Sequence, residues 1–109
     1  GNGLTLQVRK YDALTVAEMP APGETVRDRM SYSFARLTNY ITGRNVDPAN
    51  GRSVRLGMSG MILMKNPVNG QNTASLILPA APSYPRPVDN DISIVTIPAG
   101  RYAVISFVG

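Results

Sequence analysis

Residues 25–45, TVRDRMSYSFARLTNYITGRN, constrain the chain more than any other stretch, because they carry a helix start, a helix stop and a stripe that needs burying. Val26, Met30, Phe34, Leu37 and Ile41 recur at intervals of four, four, three and four, which places them on one side of an α-helix. Thr25 with Asp28 three residues on resembles a capping box, and Pro22-Gly23 blocks extension backwards. Gly43 stands where a left-handed C-terminal cap belongs, so the sequence predicts one long helix with a built-in end.

The remainder reads as strands and turns. Leu4, Leu6 and Val8 alternate with Thr5, Gln7 and Arg9, the period of a half-buried strand. Leu14 and Val16 open a second strand, stopped by Pro20-Ala21-Pro22-Gly23; the short gap at Lys10-Tyr11-Asp12 fits either a hairpin or a bulged continuous edge. Beyond the helix, residues 44–51 carry turn chemistry, with Asp47-Pro48 and Asn50-Gly51. Residues 54–64 predict a strand whose apolar phase changes at Gly60, the mark of a bulge or kink. Residues 73–78 and 92–96 predict two further strands, separated by a proline-rich extended segment at 80–87. Residues 101–108 are apolar on both faces, which argues for a central strand.

One helix among strands is the α+β solution: a bent, mainly antiparallel sheet with one long helix packed on it. A single helix covers about half of such a face. Either the sheet curls strongly or a second copy or another segment covers the rest. At 109 residues the chain is read as a single domain, 1–109, able to bury roughly two thirds of its unfolded surface in one modest core.

Composition then removes several function classes. Neither cysteine nor histidine occurs, so disulfides, zinc–thiolate sites, thiol catalysis, the commonest general base and the usual protein ligand of haem iron are all missing. A net charge of +4 and a pI near 9.9 raise the question of nucleic acid, but the basic residues are scattered from Arg9 to Arg101 without a basic run or a recognisable motif. The expectation is a mildly basic solvated surface and no nucleic-acid partner. No apolar run approaches the ~20 residues of a spanning helix, and the first residues lack a signal-peptide pattern, so a soluble segment without a membrane span is expected. The compartment stays unknown.

Four ordered blocks carry a resemblance. They are LQVRKYDALTVAEM, FARLTNYITGRN, VRLGMSGMILM and ASLILPAAPSYPRPVDNDISIVTIPAGRYAVISFVG. Together they resemble the SOUL haem-binding protein family: an opening Val-Arg-x-Tyr strand, then Phe34, Leu37, Tyr40, Ile41, Gly43 and Asn45 of the helix motif, Pro85-Arg86-Pro87 before Asp91, and a last strand from Pro98 to Val104. Where the family's Met-Thr-x-Pro-Val strand carries proline, this chain has Met61. The family is built from two similar halves around an open barrel. The resemblance therefore implies that this chain is one half-domain, completed by forming a homodimer or by a second chain supplying the other half.

The resemblance also implies a tetrapyrrole ligand, haem or a related porphyrin, as cofactor in an apolar groove beside the helix, with basic residues near the propionates and a role in transport or buffering. Residues of this chain placed in that role are Met30, Phe34, Thr38, Arg36, Arg44, Met58 and Met61, with Ser31 and Asn39 also on helix positions near such a groove. Methionines give a soft, adaptable lining, although the same residues commonly fill cores. Arg36 and Arg44 are available for an acidic ligand, or serve as solvated arginines. Tyr40 belongs to the motif, yet packing its ring and exposing its hydroxyl would account for it. No metal site is assigned.

Two alternatives stand beside tetrapyrrole binding. One is a structural or interaction half-domain that binds nothing small. The other is a small-molecule hydrolase or effector-binding module of the wider fold group. For the hydrolase, Glu18 and Glu24 are the only glutamates, and neither a nucleophile with its base nor a carboxylate pair emerges, so no catalytic residues are assigned.

Overall fold

The computed structural model describes residues 3–57, 60–65 and 71–108. Its helix starts and stops on local signals. Thr25, in an extended conformation, accepts at Oγ1 a hydrogen bond from the Asp28 backbone N–H at 3.0 Å, which opens α1 (Val26–Thr42). Gly43 then adopts φ of +151° and donates its N–H to the Asn39 carbonyl, ending the helix in a conformation that favours glycine.

Eight strands are present among the described residues: β1 (Gly3–Tyr11), β2 (Leu14–Pro20), β3 (Asn45–Val46), β4 (Met61–Lys65), β5 (Asn72–Ile77), β6 (Arg86–Pro87), β7 (Ser93–Ile97) and β8 (Gly100–Val108). Six of them form one antiparallel sheet in the order β1-β8-β4-β5-β2-β7, and β3 pairs separately with β6. The fold is α+β, one helix on a large open sheet, as the sequence predicts, and β8 is an internal strand as its two apolar faces require.

The sheet bends because of how its strands are joined. In β1·β8, Tyr11 faces Gly100; three residues on, in β2·β7, Leu14 faces Ile97, so the register runs unbroken across Asp12-Ala13 and Pro98-Ala99. Neither reading of the first strands holds as stated: β1 and β2 do not pair as a hairpin, and the chain that continues from β1 without a bulge becomes an internal strand, β2, with β5 and β7 on either side. Yet β1 and β2 stand four places apart in the sheet order, roughly 19 Å in a flat sheet. Three residue steps from Tyr11 to Leu14 reach about 11 Å at most. The sheet therefore curls around this ribbon.

Curling buries the face the helix never touches. Val16 and Val104 are fully buried there, with Ile62, Ile77 and Ile97. On this face, of the alternatives the sequence leaves open, the strongly curled sheet is the one present. On the other face, Leu6, Ile105, Met61, Leu76, Ala17 and Ile94 are successive cross-strand partners and form one row. Leu37, Tyr40 and Ile41 of the helix pack over the Met61–Ala17 end of that row. Each such buried aliphatic side chain contributes about 1.5–3 kcal/mol.

The predicted helix stripe splits in two. Leu37 and Ile41 are buried, but Met30 and Phe34 are only half-buried and Val26 is 53% exposed. Leu6 and Val8, expected to face a core, are 69% and 73% exposed, because the helix crosses β2, β4 and β5 and leaves β1 uncovered.

The strand expected at 54–64 begins only at Met61. The buried Asn45 explains this: its side-chain amide donates to the Val54 carbonyl at 2.8 Å and its Oδ1 accepts from the Val54 N–H at 2.8 Å. Leu56 N–H donates to the Ile41 carbonyl at 2.7 Å, so residues 54–56 are tied to the helix end instead of a neighbouring strand. Met58, and with it part of the approach to Gly60, lies outside the described residues.

Candidate functional site

An open apolar groove of about 820 Å³ separates the first half of α1 from the sheet. The helix supplies Val26, Met30 and Phe34 along one wall, at the spacing of a single face. Opposite, β8 presents Ala103 and Ile105, β4 presents Leu63 and β1 presents Leu6, all on the helix-facing side of the sheet. The groove exists because the helix is seated on β2 and β5 at its C-terminal half while its N-terminal half overhangs the β1–β8–β4 side. Its volume lies within the roughly 300–1,000 Å³ of small-molecule sites.

Polar groups gather at one end, around the first turns of the helix. Arg27, Arg29 and Ser31 join the lining there. Arg29 leans back on the carbonyl oxygens of Gly23 and Glu24 at 3.4 and 3.5 Å, and Arg27 is exposed. Two guanidinium groups beside the positive end of a helix favour a carboxylate over a neutral group. The site can thus hold a flat apolar body with acidic substituents directed to that end.

Of the sequence-derived candidates, Met30, Ser31 and Phe34 line this groove, and Asn39 is exposed outside it. Met61 is fully buried in the core beneath the helix, opposite Ile105 and two residues along β4 from the groove-lining Leu63. Thr38 lies one turn past Phe34, outside the lining, with Oγ1 buried and unpaired. Arg36 and Arg44 are committed elsewhere. Arg36 makes a two-pronged pair with Asp91, one arm at 2.6 Å, and Arg44 donates to Asp89 at 3.0 Å. Hydrogen bonding to Asp91 raises the Arg36 pKa, and bonding to Asp89 raises that of Arg44; reciprocally, Arg44 holds the Asp89 carboxyl below its ordinary range. Met58 lies outside the described residues.

Residues missed by sequence reasoning are Leu6, Leu63, Ala103 and Ile105 from the sheet, with Val26, Arg27 and Arg29 from the helix. Val26 carried a signal, since it opens the stripe beside two arginines; the sheet residues did not, because their meeting depends on strand register.

The motif residues at the far end of the helix form a structural clasp. Tyr40 is fully buried, ring and hydroxyl, and donates to the Pro85 carbonyl at 2.7 Å, correcting the expectation of an exposed hydroxyl. Burial, with the nearby Tyr84 adding to it, pushes its pKa up to about 12. Asn45 Nδ2 also donates to the Tyr40 carbonyl, β3 pairs with β6, and Val88 N–H donates to the Arg44 carbonyl at 3.1 Å. Among the described residues no group of three acidic, His or Cys side chains could hold a metal ion. No helix among them is long and apolar enough to cross a membrane.

A curled antiparallel sheet under one helix, with an apolar groove at the helix N-terminal half and a clasp at its other end, defines the class. The sequence model of the SOUL heme-binding protein family matches residues 2–109, and the chain belongs to that family. No curated protein matches the chain.

Proposed function

We propose that the chain binds haem or another tetrapyrrole in the groove between α1 and the β1–β8–β4 side of the sheet, as a non-enzymatic carrier or buffer. The observation that carries this reading is the pairing of apolar walls, Leu6, Met30, Phe34 and Ile105, with Arg27 and Arg29 at one end. That arrangement suits a macrocycle whose one edge carries propionates. Membership of a haem-binding family supports the same ligand class.

The fit is better for the macrocycle than for its metal. With no histidine or cysteine in the chain, the Met30 thioether is the one soft donor among the lining residues, and Met61 is enclosed in the core. Binding therefore rests on burial of the ring and on the arginines. Titration of haemin and of protoporphyrin IX, followed by the Soret band and tyrosine fluorescence, should give saturable binding of both with similar affinity. Binding of haemin alone, lost in Met30→Leu, would replace this reading with iron ligation. Failure of both to bind would leave the interaction reading, a chain completed by a second copy or a second chain, for which the exposed Leu6 and Val8 on an edge strand speak.

A further inference from the structure

Among the described residues β1 is an edge strand of nine residues, hydrogen-bonded to β8 on one side only. Long unpaired edges are a template for a further strand, and charged or proline residues usually blunt them. Here the charges, Arg9 and Lys10, sit toward one end, while the middle of the strand carries Leu6 and Val8, the two most exposed large apolar side chains among the described residues at 69% and 73%.

We infer that β1 pairs antiparallel with β1 of a second copy of this chain, about a two-fold axis at Gln7. The strand is self-complementary in that register. Gln7 meets its own equivalent, Leu6 falls opposite the partner subunit's Val8, and Val8 opposite the partner subunit's Leu6. One operation covers all four exposed apolar groups, which is the economy of an isologous contact. Leu6 and Val8 share a face because their separation is even.

Charge agrees with this register. Arg9 falls opposite the uncharged position Thr5 and Lys10 opposite Leu4. Arg9 and the partner subunit's Arg9 are separated by four residue steps along the strands, about 14 Å. That exceeds the roughly 8 Å screening length at physiological salt, so the net charge of +4 on each copy does not oppose the contact locally. An axis at Val8 would set Leu6 opposite Lys10, and an axis at Leu6 would set Val8 opposite Leu4 but pair only residues 3–9, where the axis at Gln7 pairs all nine residues of the strand.

The partner also reaches the site. Leu6 is the outermost sheet residue of the groove, so the partner subunit's Val8 extends the groove floor across the seam. This surface specifies the pairing reading given above and does not require the ligand reading.

Sedimentation velocity across a concentration series tests it directly. A monomer–dimer equilibrium is expected, weakened at least tenfold by Val8→Lys, a substitution at a side chain that is 73% exposed and outside the groove lining. The chain has no cysteine, so Gln7→Cys introduces a single thiol that diamide should oxidise readily to a disulfide-linked dimer. Arg9→Cys, about 14 Å from its equivalent, should cross-link far more slowly. A dimer indifferent to Val8→Lys, or equal cross-linking of both cysteines, overturns this surface while leaving self-association standing. A monomer at all concentrations overturns both.

Discussion

The Tyr40 hydroxyl donates to the Pro85 carbonyl at 2.7 Å, joining the end of the helix to the proline-rich segment that precedes β7. The bond is buried, so its loss leaves an acceptor without water. Tyr40→Phe should lower unfolding free energy by about 1–2 kcal/mol at pH 7, measured by urea denaturation. The pH dependence has a definite sign. A phenol whose pKa is raised from 10.0 to about 12 stabilises the fold fully below pH 10 and loses that contribution as pH rises toward 12. The native chain should lose on the order of 2–3 kcal/mol through this group over that window, and the phenylalanine variant should lack this part of the decline.

Asn45 holds the helix end to residue Val54 with both ends of its amide. Asn45→Ala strands the Val54 N–H and two carbonyls, and should cost roughly 2–4 kcal/mol. Asn45→Asp keeps the acceptor but loses both donors, so calorimetry should place it between the native chain and the alanine variant only at a pH where the new carboxyl is protonated.

Asp89 sits between Arg44 and Arg36, at 3.0 and 3.8 Å. Because Arg44 holds its carboxyl below the ordinary value, Asp89 contributes stability above about pH 4, and that contribution disappears as pH falls through the lowered value. Denaturation profiles between pH 2 and 6 should show a shallower acid slope for Asp89→Asn. An unchanged slope would show that the pair is neutral to stability.

The groove assignment separates two sets of arginines. Arg27→Gln with Arg29→Gln should weaken protoporphyrin binding by about tenfold, the worth of one or two charge-assisted contacts. Arg44→Gln should leave affinity unchanged, since Arg44 faces Asp89 and not the groove. Fluorescence titration distinguishes them. Equal loss in both would place the acidic groups of the ligand near the clasp.

Gly23 adopts φ of +140°, and a Cβ there would come within 2.7 Å of the Asp28 Cβ and 3.0 Å of the Arg29 nitrogen. At Gly43, also at positive φ, a Cβ would meet the Ser53 Oγ at 4.0 Å, an ordinary contact without a clash. Gly23→Ala should therefore destabilise by roughly 2–4 kcal/mol and Gly43→Ala by about 1–2 kcal/mol, strain alone accounting for the second. Thermal unfolding should rank them in that order.

The helix could be read from its residues because its signals are local: Thr25 caps Asp28 within one turn and Gly43 ends the helix where it stands. Strand β8 was legible for a similar reason, its two apolar faces being visible in eight consecutive residues. The groove was not. Val26, Met30 and Phe34 have the same periodicity as Leu37 and Ile41, and only the placement of the helix on β2 and β5 decides which half meets a sheet. Arg36 and Arg44 looked available because Asp91 and Asp89 lie 55 and 45 residues away in sequence. The strand expected at 54–64 is missing over residues 54–57 because of one side chain, since Asn45 offers Val54 the hydrogen bonds a neighbouring strand would have given.

The unbroken register that joins β1·β8 to β2·β7 also sets a timetable. Residues 3–18 have their ladder partners in 93–108, so a ribosome adding roughly 5–20 residues per second leaves the first two strands without those partners for on the order of 5–15 s. During that interval the helix can form on its own signals, but Leu6 and Val8 have no β8 beside them. Pairings this distant make folding slow once synthesis reaches β8. The nascent chain is then the form most open to capture by chaperones or to misdirected strand pairing, and its hazard resides in the same nine residues that edge the finished sheet.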